Sequence, residues 1–163
     1  MENLAMWSSA AVRRSDEPGY AVLVLLGLVP LLPGALIYIG FRPETLIFVS
    51  WLESAGLGEL YRFLRALLGP AAGLMPDWAI YNLPNGLWAF AVFAVIAVIW
   101  PLRSLAGCFY LSIGILLTWG LEVLQRLGLM PGTFDPGDLA MMALLGGAGL
   151  LTGVVLRTRR GGG

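Results

Sequence analysis

Long apolar runs fill most of the chain and are separated by short polar stretches. Four of them, at residues 20–39, 83–100, 104–124 and 139–156, approach or reach the length of about 20 residues that a transmembrane helix needs. The pattern predicts an all-α, polytopic membrane protein with four transmembrane helices in a single domain, residues 20–156. Pro30 and Pro33 lie inside the first run and predict a kink or local unwinding there.

Residues 44–76, between the first two runs, have a different pattern. Apolar positions alternate with Glu53, Glu59, Arg62 and Arg65. Because the two arginines are three residues apart, one helix face is charged while the rest is apolar, and Glu59 is placed to pair with Arg62. The pattern predicts an amphipathic segment that lies in the membrane interface or packs on the bundle. A short re-entrant dip over residues 46–52 is an alternative.

Composition supports the membrane interpretation and narrows the chemistry. The 163 residues are 58% hydrophobic and 12% charged, with a mean hydropathy of +0.82. A soluble domain carries about 25% charged residues. The net charge is zero and all basic residues are arginines without a dense patch, so we predict no nucleic-acid partner.

The residue types argue against common catalytic and metal centres. The chain has no His, which removes the usual neutral-pH base and the commonest metal ligand. Its single Cys, Cys108, can form neither an intrachain disulfide nor a thiolate cluster. The sequence therefore predicts no metal, no cofactor and a non-catalytic protein.

The arginines predict an orientation in the membrane. One side would hold six of them, Arg13, Arg14, Arg103, Arg157, Arg159 and Arg160. The other side would hold seven acids, Glu44, Glu53, Glu59, Asp77, Glu122, Asp135 and Asp138. The positive-inside rule then places the tails, residues 1–19 and 157–163, in the cytoplasm. Trp51, Trp78 and Trp119 are expected at the outer interface, and Trp100 at the inner one.

Small residues in the last run predict close helix packing. Ala143 and Gly147 form one small-xxx-small pair, and Gly149 and Gly153 form a GxxxG. The third run, with its own glycines, is the expected partner. An oligomer face is the alternative.

Polar residues concentrate between the last two runs, at Glu122, Gln125, Asp135 and Asp138, which we call the polar mouth. Glu122 and Gln125 share a helix face, and a surface pair of Glu122 with Arg126 is one interpretation. Pro136-Gly137 predicts a type II turn, with Asp138 as N-cap of the last helix and Asp135 capping the turn. The functional interpretation places all four around one outward-facing pocket for a cation, an amine or a hydroxyl-rich head group. Acid–base chemistry is a further alternative.

The polar mouth resembles the VanZ-like membrane protein family. The resemblance rests first on Glu122-x-x-Gln125 and on residues 132–139 (Gly-Thr-Phe-Asp-Pro-Gly-Asp-Leu). The glycines of 146–153 and residues 83–90 are also similar to the family. Together these stretches cover about half of the chain. Three family residues are absent: Gly132-Thr133 stand in place of an Arg, Met142 in place of an Asn, and the earlier span has no His.

The resemblance implies a multi-pass protein of the bacterial cytoplasmic (inner) membrane. Because the family is associated with glycopeptide resistance, it also implies that the polar mouth binds an envelope-related small molecule or cation. The alternative is a structural or accessory subunit, whose partners are the lipid bilayer and other membrane proteins.

Overall fold

The computed structural model describes residues 19–43, 47–130 and 132–161, and every regular element in this part of the chain is helical. Arg13, Arg14 and Glu44, which entered the orientation argument, lie outside the described residues, as do the start of the amphipathic segment and the end of the basic tail. The side chain of Arg160 is likewise not described.

Eight α-helices follow one another along the described residues. They are α1 (Tyr20–Gly27), α2 (Leu31–Phe41), α3 (Ile47–Ser54), α4 (Gly58–Leu68), α5 (Asp77–Tyr81), α6 (Leu83–Ile99), α7 (Leu105–Arg126) and α8 (Pro136–Gly161). A 3₁₀ helix, Gly69–Leu74, follows α4 directly.

Three helices are long and apolar enough to cross a membrane. They are α1 and α2 taken together (Tyr20–Phe41), α7, and α8 as far as Arg159. This confirms the all-α class, and the three apolar helices support a membrane protein. The predicted second span, α6, is apolar but shorter than these three. The third and fourth spans are longer than predicted, since α7 continues to Arg126 and α8 already begins at Pro136.

The first span is interrupted where Pro30 was expected to disturb it. Residues 28–30 form a turn between α1 and α2, in which the Leu31 N–H donates to the Leu28 carbonyl at 3.1 Å. Pro30 has no N–H to continue the α-helical ladder. Pro33 causes no second break, because it lies in the first turn of α2, where a missing N–H costs little.

The core of the bundle is the contact between α6 and α8. A Cβ on Gly149 would overlap the Phe90 carbonyl, and one on Gly153 would lie 2.5 Å from the Ala94 carbonyl oxygen. Backbone approaches backbone here, which small residues alone permit. The partner of α8 is therefore α6, which corrects the expectation that it would be α7.

Ala143 and Gly147 also require a correction. They lie on the exposed face of α8, and a Cβ built on Gly147 has no atom within 4 Å. The face that packs on α6 instead carries Gly146, Gly149 and Gly153, because these three point to the same side of the helix.

Trp119 packs inside the helix bundle. Its ring lies 5.5 Å from that of Phe93, and its indole N–H donates to the Leu139 carbonyl at 3.4 Å. Trp51 and Trp78 are exposed, whereas Trp100 stacks on Tyr110 at 4.9 Å.

The helix α4 is amphipathic and is anchored to the end of α2. Leu60, Phe63 and Leu67 are exposed along one stripe. Glu59 and Arg62 form the predicted pair at 2.6 Å. On the bundle side, Arg65 Nη1 donates to the carbonyls of Arg42 at 2.7 Å and Ile39 at 3.2 Å. These bonds satisfy carbonyls at the end of α2 that have no partner within the helix.

We expect Arg65→Met to release α4 from α2. Methionine keeps much of the side-chain volume but removes the guanidinium that holds the Arg42 and Ile39 carbonyls. The rate of hydrogen–deuterium exchange in residues 58–68 should rise by about tenfold, because about 1.4 kcal/mol of local stability is lost. The control is Arg62→Met, which breaks an exposed pair worth less than about 1 kcal/mol. Equal exchange in both variants would contradict the anchoring role.

Candidate functional site

All four residues of the polar mouth line one cavity of about 750 Å³. The cavity lies where α7 ends and α8 begins, and α2, α5 and α6 complete its wall. The other lining residues are Tyr38, Arg42, Tyr81, Asn85, Trp88, Leu117, Thr118, Leu121, Gly132, Thr133, Phe134 and Met142.

Glu122 is buried, with 7% of its surface exposed. Its Oε2 accepts a hydrogen bond from the Asp135 backbone N–H at 3.3 Å. Arg126 does not pair with it, because the Arg126 guanidinium lies over the Phe134 ring, 4.8 Å from the centroid. The interpretation of Glu122 as a surface-paired carboxylate is therefore wrong.

Asp135, and not Asp138, occupies the N-cap position of α8. Asp135 stands directly before the first helical residue, and its Oδ1 accepts from the Gly137 N–H at 2.8 Å. The predicted type II turn is wrong, since Pro136 begins the helix, a position that suits proline. Asp138 lies in the first turn, where the helix dipole favours its charge.

Asn82 joins the two aspartates. Its Nδ2 donates to Asp135 Oδ2 at 2.8 Å and to Asp138 Oδ1 at 2.9 Å, so both amide protons are used. Asn82 is 9% exposed and stands between α5 and α6. The amide holds the two carboxylates together without neutralising either charge. Sequence reasoning missed it, although a polar residue beside the start of an apolar run was a signal.

Gln125 is held beneath the loop that leads to α8. A Cβ on Gly132 would lie 2.5 Å from Gln125 Nε2, and Gly132 has a φ of +134°, which favours glycine. The Gln125 Oε1 atom is buried and has no hydrogen-bond partner among the described residues. The Gln125 oxygen is therefore a hydrogen-bond acceptor in the cavity wall to which no described residue donates.

Arg42 supplies a cation to the same cavity. Its Nη2 donates to the Tyr81 carbonyl at 3.2 Å and to the Tyr38 hydroxyl at 3.4 Å. The guanidinium also lies 4.9 Å from the Tyr38 ring centroid and 5.0 Å from that of Tyr81. No ion pair joins it to a carboxylate within the described part of the chain. No local pattern points to this role, because Arg42 is distant from the polar mouth along the chain.

One part of the cavity wall is mostly apolar. Trp88, Leu117, Leu121 and Met142 line it, and the buried Thr118 donates its hydroxyl proton to the Gly114 carbonyl at 2.8 Å. The cavity therefore has a charged end, with three carboxylates and one guanidinium, and an apolar end at which Trp88, Leu117 and Leu121 are partly exposed.

Comparison with protein-family models, with curated proteins and with solved structures finds no match for this chain.

The carboxylates of the cavity are held by hydrogen bonds from Asn82 and from the backbone. Among the described residues, no group of three or more His, Cys, Asp or Glu side chains is placed to hold a metal ion. Asp135 and Asp138 each direct an oxygen toward the Asn82 amide instead. The wall can accept hydrogen bonds from an ammonium group or from hydroxyls, and it can donate from Arg42.

Proposed function

We propose that this protein is a small, non-catalytic integral membrane protein that binds the amine-bearing head group of an envelope-related molecule. The observation that carries the proposal is convergence. Glu122, Gln125, Asp135 and Asp138 come from two helices and a loop, yet all four line one cavity that also contains Arg42.

The charge of the cavity defines the head group. Three carboxylates face a single guanidinium, so the cavity carries an excess of negative charge at neutral pH. A primary ammonium has three donors and a positive charge, which suits Glu122 and the unpartnered Gln125 oxygen. Because Asn82 and the backbone N–H groups fix the carboxylates, the site is preorganised for binding.

We propose that the chain crosses the membrane four times and that α4 lies in the membrane interface. At 1.5 Å per residue α6 is about 25 Å long, slightly less than the hydrocarbon thickness of about 30 Å. It is nevertheless the central helix, and its partner α8 crosses beside it. We place the exposed stripe of α4 in the interface, the cavity outside, and Arg103 and Arg157 inside.

The resemblance to the VanZ-like family agrees with this proposal, because Glu122, Gln125 and most of residues 132–138 line the cavity. The chain has no Arg at Gly132 or Thr133, but Arg42 contributes a guanidinium from α2. Met142 lines the cavity where the family has an Asn. We therefore propose a VanZ-like protein of the bacterial inner membrane whose ligand-binding residues are altered.

An accessory subunit is the second candidate function. It is favoured by the small residues Ala143 and Gly147 on the exposed face of α8, where another helix could approach closely. A stable complex recovered in mild detergent would support this alternative, and a free monomer would count against it.

Glucosamine and glucose test the binding proposal, since they differ only in the amine. We expect glucosamine, and not glucose, to raise the thermal unfolding midpoint of the purified protein in a dose-dependent way. Glu122→Gln should weaken glucosamine binding about tenfold, because it removes a charge-assisted hydrogen bond. Asp138→Asn should weaken it as well.

The control is Glu59→Gln, which removes an exposed carboxylate that does not line the cavity. Equal binding of glucosamine and glucose, or unchanged binding in Glu122→Gln, would count against the proposal. In a glycopeptide-sensitive host that expresses the chain, the same variants test whether the activity associated with the family is present.

A further inference from the structure

The cavity opens sideways between helices. Trp88, Leu117 and Leu121 line it and are also 40%, 50% and 42% exposed. A side chain that borders the cavity and is exposed on its other side marks the rim of an opening. Trp88 belongs to α6, and Leu117 and Leu121 belong to α7, which packs on α6. The opening therefore lies beside these two helices.

This opening lies at the depth of the hydrocarbon. Along α7, Leu117 is about 13 Å from the helix end at Arg126, at a rise of 1.5 Å per residue. The hydrocarbon core of a bilayer is about 30 Å thick, so a residue this far from the end of a spanning helix is surrounded by acyl chains. We therefore expect lipid acyl chains to reach the charged end of the cavity past the apolar side chains of Trp88, Leu117 and Leu121.

Opposite charges face the cavity without contacting each other. Arg42 forms no ion pair with Glu122, Asp135 or Asp138 in the described residues. It is held instead by Tyr38 and Tyr81, which fix its position. Glu122 is more than nine-tenths buried, and its Oε1 has no hydrogen bond within the described ranges. A ligand with one negative and one positive group can join these separated charges.

We propose that the cavity binds a phospholipid with a primary amine in its head group. The phosphate lies against Arg42, the ammonium group lies among the carboxylates and the Gln125 oxygen, and the acyl chains leave past Trp88 and Leu117. Guanidinium suits phosphate because its N–H groups form two parallel hydrogen bonds. This inference rests on the proposed function, since it assigns a ligand class to the same cavity.

The observations favour this ligand over its nearest relatives. An anionic phospholipid without an amine, such as phosphatidylglycerol, can donate hydroxyl hydrogen bonds to the Gln125 oxygen but brings no positive charge to the three carboxylates. A quaternary ammonium head group carries the charge but has no N–H to donate. A water-soluble zwitterion could join the charges but would not use the apolar rim.

Short-chain lipids test the inference on the full chain in phosphatidylcholine nanodiscs. The probes are dihexanoyl phosphatidylethanolamine, dihexanoyl phosphatidylglycerol and soluble glycerophosphoethanolamine, with retention measured by native mass spectrometry. We expect the ethanolamine lipid to bind at least about tenfold more tightly than either of the others, since each lacks one recognised group. Equal binding of the two lipids would overturn the inference.

Two variants, each with a matched control, locate the phosphate and the acyl chains. Arg42→Gln should weaken the binding of the ethanolamine lipid about tenfold to a hundredfold. Arg62→Gln, which changes a surface residue, should leave the binding unchanged. Leu117→Trp should narrow the opening of the cavity and weaken the binding of the lipid. Leu116 is 66% exposed and does not line the cavity, so Leu116→Trp should leave the binding unchanged. Unchanged binding in Arg42→Gln and Leu117→Trp would overturn the inference, and thermal unfolding verifies that each variant is folded.

The outcome for the soluble amine separates this inference from the proposed function. If glucosamine still stabilises the protein and Glu122→Gln abolishes that effect, the cavity is an amine site. Should the ethanolamine lipid then bind no better than the glycerol lipid, the lipid inference fails alone. If neither glucosamine nor the ethanolamine lipid binds, both proposals fail.

Discussion

Asn82→Asp is expected to destabilise the protein by about 3 kcal/mol at neutral pH, the range observed when one partner of a buried charged contact is removed. The substitution changes the shape of the side chain little but replaces a donor with an acceptor. Asn82 Nδ2 lies 2.8 Å from Asp135 Oδ2 and 2.9 Å from Asp138 Oδ1, so the variant would bring three carboxylates together. The midpoint of thermal unfolding in detergent measures the effect.

The loss of stability caused by Asn82→Asp should diminish as the pH falls. A protonated carboxyl at position 82 can donate a hydrogen bond in place of the amide, so the difference from the natural chain should be smaller at pH 5 than at pH 8. The matched control is Asn85→Asp, which adds a carboxylate to the cavity wall at a residue that does not make the hydrogen bonds to Asp135 and Asp138. If the two variants behave alike at both pH values, Asn82 does not organise the aspartates.

Gly149→Ala is expected to destabilise the protein by about 2 kcal/mol, within the range for overpacked cores. The new methyl group would overlap the Phe90 carbonyl, which belongs to the backbone of α6 and cannot rotate away. The helices α6 and α8 must then separate, and the contacts that Gly146 and Gly153 permit weaken with them. Thermal unfolding in detergent measures the loss.

The control for this prediction is Gly147→Ala in the same helix. Its added Cβ has no atom within 4 Å, so the substitution should be neutral or stabilising by up to about 1 kcal/mol through helix propensity. Equal destabilisation by the two variants would show that the effect does not come from the α6–α8 contact.

The fold was predictable where the cause is local. Apolar runs of suitable length indicate transmembrane helices whatever surrounds them, and Pro30 breaks a helix because it has no N–H. The face that α8 presents to its partner was not predictable. The sequence offers two pairs of small residues, at Ala143 with Gly147 and at Gly149 with Gly153, and only the packed bundle selects the second.

The site was predictable in part for the same reason. Glu122, Gln125, Asp135 and Asp138 are close in sequence and were grouped before the fold was known. Asn82 and Arg42 reach them only through tertiary packing. The cap was assigned to Asp138 and not to Asp135 because Pro136 was placed in a turn, although proline is equally typical of the first residue of a helix.

The anchoring of α4 connects this helix mechanically to the cavity. Arg65 holds the carbonyl of Arg42, whose guanidinium faces the carboxylates. In the proposed orientation, the exposed Leu60, Phe63 and Leu67 set the height of α4 in the interface. A thinner or more tightly packed membrane would shift that height, and the shift would be transmitted through Arg65 to the guanidinium. Ligand affinity would then vary with membrane thickness and lateral pressure as well as with ligand concentration.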